Sequence, residues 1–101
     1  MKQPDECASL AEVRAEIDRI DHQLVLLLGE RLGYVRAAAG FKTSAASVPA
    51  PERLAAMLTQ RRSWALDAGL QPEMVEQLFT NLVHYFIAEE LRHWRPPAGD
   101  A

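Results

Sequence analysis

Cysteine is nearly absent from this chain. One residue, Cys7, occurs among 101, which excludes an intrachain disulfide framework and a multi-cysteine zinc site. A basic excess is absent too. Eleven Lys and Arg stand against 14 Asp and Glu, for a formal net charge of -3, whereas domains that grip nucleic acid through its phosphates are usually basic. No apolar run approaches the ~20 residues needed to span a bilayer. The N-terminal decapeptide MKQPDECASL is acidic and has no apolar core, so no signal peptide is expected. GxSxG, HExxH, P-loop and GxGxxG patterns are also missing,. His22, His84 and His93 do not fall at ligand spacings, and Cys7 has no evident activating neighbour. No standard nucleophile, metal cluster or phosphate cradle is therefore available, and no cofactor is expected. The rest of the composition, 49% hydrophobic and 25% charged, is that of a soluble globular domain. One cytoplasmic domain over 1–101 is expected, with loose ends at 1–8 and 96–101.

Three helices are predicted and no strand. Ser9-Leu10-Ala11-Glu12 has the form of a capping box,. Leu10, Val13, Ile17, Ile20, Leu24 and Leu27 follow at alternating steps of three and four, a helical seam close to a heptad,. The same count continues through Arg31, Tyr34, Ala38 and Phe41, so the helix is expected from about Ser9 to about Lys42. Gly29, Gly33 and Gly40 weaken it by up to ~1 kcal/mol each. Residues 43–50, rich in Ser, Ala and Pro, read as a loop. Pro51 starts a second helix and Gly69 suits its C′ position. Pro72 starts a third, which Pro96 and Pro97 stop.

The first helix is long for a chain of this size. About 33 residues extend ~50 Å, whereas a compact 100-residue globule is only ~35 Å across. Its apolar stripe runs over most of that length. At ~1.5–3 kcal/mol per buried aliphatic side chain, a partner helix is favoured. A homodimer that pairs the two first helices is expected.

Most charges fit solvated faces, among them Asp18, Arg19, Asp21, Glu30, Arg61, Arg62 and Arg92. Five other positions draw notice. Arg31 falls on the apolar stripe, either snorkelling at its edge or pointing inward as a cation in a pocket. Arg14 lies at the margin of the same stripe. Lys42 stands where the helix meets the loop. Arg53 lies in the first turn of the second helix, where a cation opposes the helix dipole. Glu90 puts a carboxylate in an apolar row, four after Phe86, three after Ile87 and four before Trp94. It is either paired with a core cation or a desolvated carboxyl able to donate a hydrogen bond. An enzyme with this inventory works by holding an anion among cations, and a pericyclic rearrangement needs only that.

The segments LAEVRAEIDRIDHQLVLLLGERLGYVRAAAGFK, PAPERLAAM and LFTNLVHYFIAEELRHW resemble the all-helical chorismate mutases. Within that family they are similar to the isochorismate pyruvate lyases, which make salicylate for siderophores. The most specific element is R-x-x-I-D-x-I-D followed by L-x-x-R and a lysine. The resemblance runs from about Leu10 to Trp94. It implies a three-helix intertwined homodimer with two active sites. It implies that Arg14 reaches a substrate carboxylate across the interface and that Arg31 grips a carboxylate from its own chain. Lys42 would serve as a lid lysine to a carboxylate and the ether oxygen, Arg53 as a further arginine, and Glu90 as a hydrogen-bonding partner of the ether oxygen.

Two departures bear on the activity. Such mutases often carry a carboxylate directly after the P-E-R arginine, to bind the ring hydroxyl of chorismate. Leu54 stands there, with Val48 and Ala50 in the loop, which favours the lyase. The lyases also carry glutamine where this chain has Glu90. An ionised Glu90 would face a dianionic substrate, and like charges at ~4 Å cost ~4 kcal/mol at an effective dielectric near 20. A protonated working form of Glu90 is therefore implied. The implied activity is cofactor-free conversion of isochorismate to salicylate and pyruvate. The alternatives are chorismate mutase activity, making prephenate, and a non-catalytic helical dimer serving as an interaction module.

Overall fold

The computed structural model describes residues 1–97; the outer part of the expected tail, 98–101, lies outside them. The described residues form three α-helices and two short 3-10 turns, with no strand. The helices are α1 (Leu10–Ala39), α2 (Pro51–Asp67) and α3 (Pro72–His93). The chain divides into two compact units, Met1–Gly33 and the remainder from Tyr34.

In the first unit a 3-10 turn at Pro4–Glu6 precedes α1. Half of the capping box forms as read. The Glu12 N–H donates to Ser9 Oγ at 3.2 Å. The returning Glu12 carboxylate takes the Ala8 N–H at 2.6 Å instead of that of Ser9. Lys2 reaches back to Glu12 at 2.8 Å, and its backbone N–H donates to Glu16 at 3.3 Å. Glu12 is held below the usual carboxylate range by the Lys2 ammonium and then by the Ala8 N–H. Glu16 is held there by Arg19 and then by the Lys2 N–H. Carboxylates depressed in this way stabilise the fold above their unfolded values and lose that contribution as pH falls through the folded ones. Along α1 the seam is uncovered in a single chain, with Leu10 61%, Ile17 51%, Leu24 53% and Leu27 58% exposed.

Helix α1 passes through Gly29 and Gly33 and ends at Ala39, three residues before the expected end. Its exit tightens into i→i+3 bonds, Gly40 to Ala37, Phe41 to Ala38 and Lys42 to Ala39, a common way to satisfy terminal carbonyls. Lys42 thus lies outside the helix.

In the second unit α2 packs against α3. Val75 and Phe86 of α3 meet a core that also holds Met57 and Ala65 of α2, Ala39 and Val48, all buried. The two helices are joined by a complete Schellman motif. The Leu70 N–H donates to Ala65 O at 2.8 Å and the Gly69 N–H to Leu66 O at 3.2 Å,. Gly69 has φ +76° there, a conformation that costs an L side chain about 1–2 kcal/mol. No atom lies within 4 Å of a Cβ built at Gly69, so the penalty is purely conformational. Gly69→Ala is expected to lower stability by about 1 kcal/mol in denaturant unfolding; an unchanged midpoint would contradict the turn's role.

Candidate active site

The second unit brings two of the five singled-out residues together across 48 positions of sequence. Lys42 Nζ donates to Glu90 Oε2 at 2.7 Å and to the Val48 carbonyl at 3.2 Å. Glu90 is 6% exposed, the buried charged residue of this core. Its position follows from helical spacing: four residues after Phe86, on the α3 face that packs inward,. A carboxylate so far from water needs a partner. Lys42 supplies a charge-assisted bond of the short, strong kind. Of the two sequence readings of Glu90, the structure displays the core carboxylate paired with a cation.

The 43–50 segment is built around the same lysine. Ala45–Ser47 form a 3-10 turn, closed by Ser47 Oγ donating to Ser44 O at 2.7 Å. Val48 follows, 2% exposed, and its carbonyl faces the Lys42 ammonium. The segment therefore has its own apolar anchor. The sequence marks Val48 only as a loop position without an acidic group; its burial is not legible there, because a lone apolar residue in a Ser/Ala/Pro stretch carries no period. Trp94 was read only as the last apolar residue of α3. Its indole donates to the Lys42 carbonyl at 3.0 Å.

Arg53 is exposed in the first turn of α2, in this same unit. Arg14 is exposed near the start of α1, and Arg31 is half-buried near the end of the first unit. Arg61, read as a solvated charge, lies 4.7 Å from the Trp64 ring centroid and 5.4 Å from that of Phe79, a cation–π arrangement. It borders an open apolar recess of about 240 Å³ between α2 and α3. Among the described residues no group of His, Cys, Asp or Glu is placed to hold a metal ion, and no helix is long and apolar enough to cross a membrane.

A desolvated lysine–carboxylate pair beside a short, separately anchored segment suits reactions in which charge develops on an oxygen. Residues 13–91 match the family described as Chorismate mutase type II. The chain belongs to that family. It is 50% identical to the isochorismate pyruvate lyase of Pseudomonas aeruginosa over 101 residues, all of both chains. It is 32% identical over 83 residues to the T-protein of Haemophilus influenzae, which covers 81% of this chain and 22% of that protein. Helical content and the R-x-x-I-D-x-I-D element accord with the family assignment.

Proposed function

We infer that this chain is an isochorismate pyruvate lyase, converting isochorismate to salicylate and pyruvate. The observation that carries the reading is 50% identity over the full length of both chains to a protein of that name. Membership of the chorismate mutase type II family supports a lesser mutase activity in the same pocket.

The reaction needs no covalent intermediate. The ether C–O bond breaks while a ring hydrogen passes to the enolpyruvyl methylene carbon. That carbon becomes the methyl of pyruvate, the enol oxygen becomes its ketone, and the ring becomes aromatic. The protein's part is to hold the near-attack conformer and to place donors where negative charge grows. Arg31, Lys42 and Arg53 hold the dianion from one chain, and Arg14 comes from the other. Lys42 turns from Glu90 toward the substrate, its ammonium serving a carboxylate and the ether oxygen. Glu90 is the hydrogen-bonding partner of the same oxygen. Movement of the 43–50 segment, which releases the Lys42–Val48 bond, closes the site to water.

The homodimer is part of the proposal. What supports it is the uncovered seam of α1, whose leucines and isoleucines are half or more exposed at Leu10, Ile17, Leu24 and Leu27. Pairing two such helices buries that surface at ~1.5–3 kcal/mol per side chain. A single domain and a cytoplasmic location belong to the same reading.

The glutamate at position 90 carries its own prediction. Glu90→Gln, which keeps a hydrogen-bonding group beside the ether oxygen, is expected to retain salicylate formation, whereas Glu90→Ala is expected to lose most of it. Equal turnover of the two folded variants would remove the hydrogen-bonding role. The function itself is tested by following salicylate fluorescence from isochorismate, with prephenate measured from chorismate in parallel. Salicylate well above the uncatalysed rate, with slow prephenate, is expected. Fast prephenate without salicylate would make the chain a mutase. Neither product from a folded protein would leave the interaction module.

A further inference from the structure

Every polar group of Lys42 is engaged, and two of the three partners outside its own loop come from one turn of α3. Its N–H donates to Ala39 at the end of α1 (3.2 Å). Its ammonium meets Glu90 (2.7 Å) and the Val48 carbonyl (3.2 Å). Its carbonyl accepts from the Trp94 indole N–H (3.0 Å). Glu90 and Trp94 are four residues apart, so they share a helix face. The Trp94 backbone N–H also donates to the Glu90 carbonyl at 2.7 Å, where Trp94 caps the helix. The end of α3 thus clamps one residue twice, at the side chain and at the backbone.

We propose that Trp94 is a positioning residue for Lys42: its indole N–H fixes the peptide from which the lysine and the 43–50 segment both depart. This rests on the reading of Lys42 as the lysine that reaches the substrate. The Lys42 carbonyl lies outside any helical ladder, where α1 has already ended. Without the indole donor, the peptide joining Lys42 to Thr43 is free to rotate, and rotation there displaces both the ammonium and the segment. Trp94 need not touch substrate to matter. A displacement of about 1 Å in a catalytic group costs up to ~100-fold in rate. Trp94 is partly buried, and its N–H is what this role requires.

Trp94→Phe keeps the ring and removes the donor. Its kcat is expected to fall about tenfold with KM within about twofold of wild type, since the residue acts on the reacting geometry rather than on affinity. In a Lys42→Ala background the same change is expected to add nothing, because the group it positions is gone. Unchanged kcat, or a loss that multiplies with that of Lys42→Ala, would overturn the proposal; a packing role alone lowers thermal stability and leaves the folded enzyme's kcat intact. A second readout does not depend on activity or on the variant folding. In ¹⁵N-labelled wild-type protein the Trp94 indole proton should exchange with solvent far more slowly than that of Trp64, which is 50% exposed. Equal exchange would overturn the clamp. Slow exchange in a protein that makes no salicylate would leave the clamp standing and remove the lyase reading.

Discussion

Lys42→Ala is expected to reduce salicylate formation at saturating isochorismate by about 100- to 1,000-fold, the loss that follows removal of one donor from a preorganised charge-stabilising site. Burial sets the size of this loss. Glu90 is 6% exposed and its carboxylate lies 2.7 Å from the Lys42 ammonium. A lysine kept in that setting is already desolvated, its side chain 24% exposed, so its charge acts more strongly on a neighbouring oxygen than in water. The alanine variant has a second effect. It leaves a buried carboxylate without its partner, which costs about 3–5 kcal/mol where nothing relieves it. Lys42→Ala combined with Glu90→Gln removes that charge and separates the two effects. The double variant should regain stability but not turnover. Near-normal turnover in the folded double variant would show that the lysine serves packing, not chemistry.

The second large effect concerns Arg14, exposed in one chain, which the proposed homodimer would bring to its partner's site. Arg14→Ala alone and Lys42→Ala alone should each be nearly inactive. An arginine that grips a carboxylate in two parallel bonds is not replaced by lysine, so Arg14→Lys should also fail. A heterodimer of the two alanine variants behaves differently. One of its sites combines Lys42 of one chain with Arg14 of the other, and its second site lacks both. Co-expression with two tags and tandem purification should therefore give about half the wild-type activity per dimer, as expected for an isologous two-site assembly. No recovery in a confirmed heterodimer would place Arg14 in the site of its own chain, or outside the site altogether.

Much of this architecture was legible in local pattern. Pro51 and Pro72 start α2 and α3 where read, because proline suits the first helical position. Gly69 sits at C′ with positive φ, because the Schellman turn needs it there. Glu90 stood out because a charge in an apolar row breaks a visible period. What escaped reading lacks local signature. The end of α1 at Ala39 reflects a tightening of the last turn that Gly40 permits but does not dictate. Val48 is buried by tertiary packing of a segment without periodicity. The Lys42–Glu90 and Trp94–Lys42 bonds join residues 48 and 52 positions apart, and nothing in either flank announces its partner. Arg14, Arg31 and Arg53 were singled out as cations in unusual places, but a guanidinium's partner is set by assembly and substrate, neither of which is a property of local sequence.

In the proposed reaction hydrogen passes directly from ring to side chain without a proton leaving for solvent. The reaction run in heavy water tests it most directly. Isochorismate and protein are mixed in deuterium oxide, salicylate is followed by fluorescence, and pyruvate is reduced to lactate as it forms so that its methyl group cannot exchange. The expected result is rapid salicylate formation and lactate whose methyl group carries no deuterium. Salicylate with a deuterated methyl group would contradict direct transfer, and a folded protein that forms no salicylate would contradict the lyase itself.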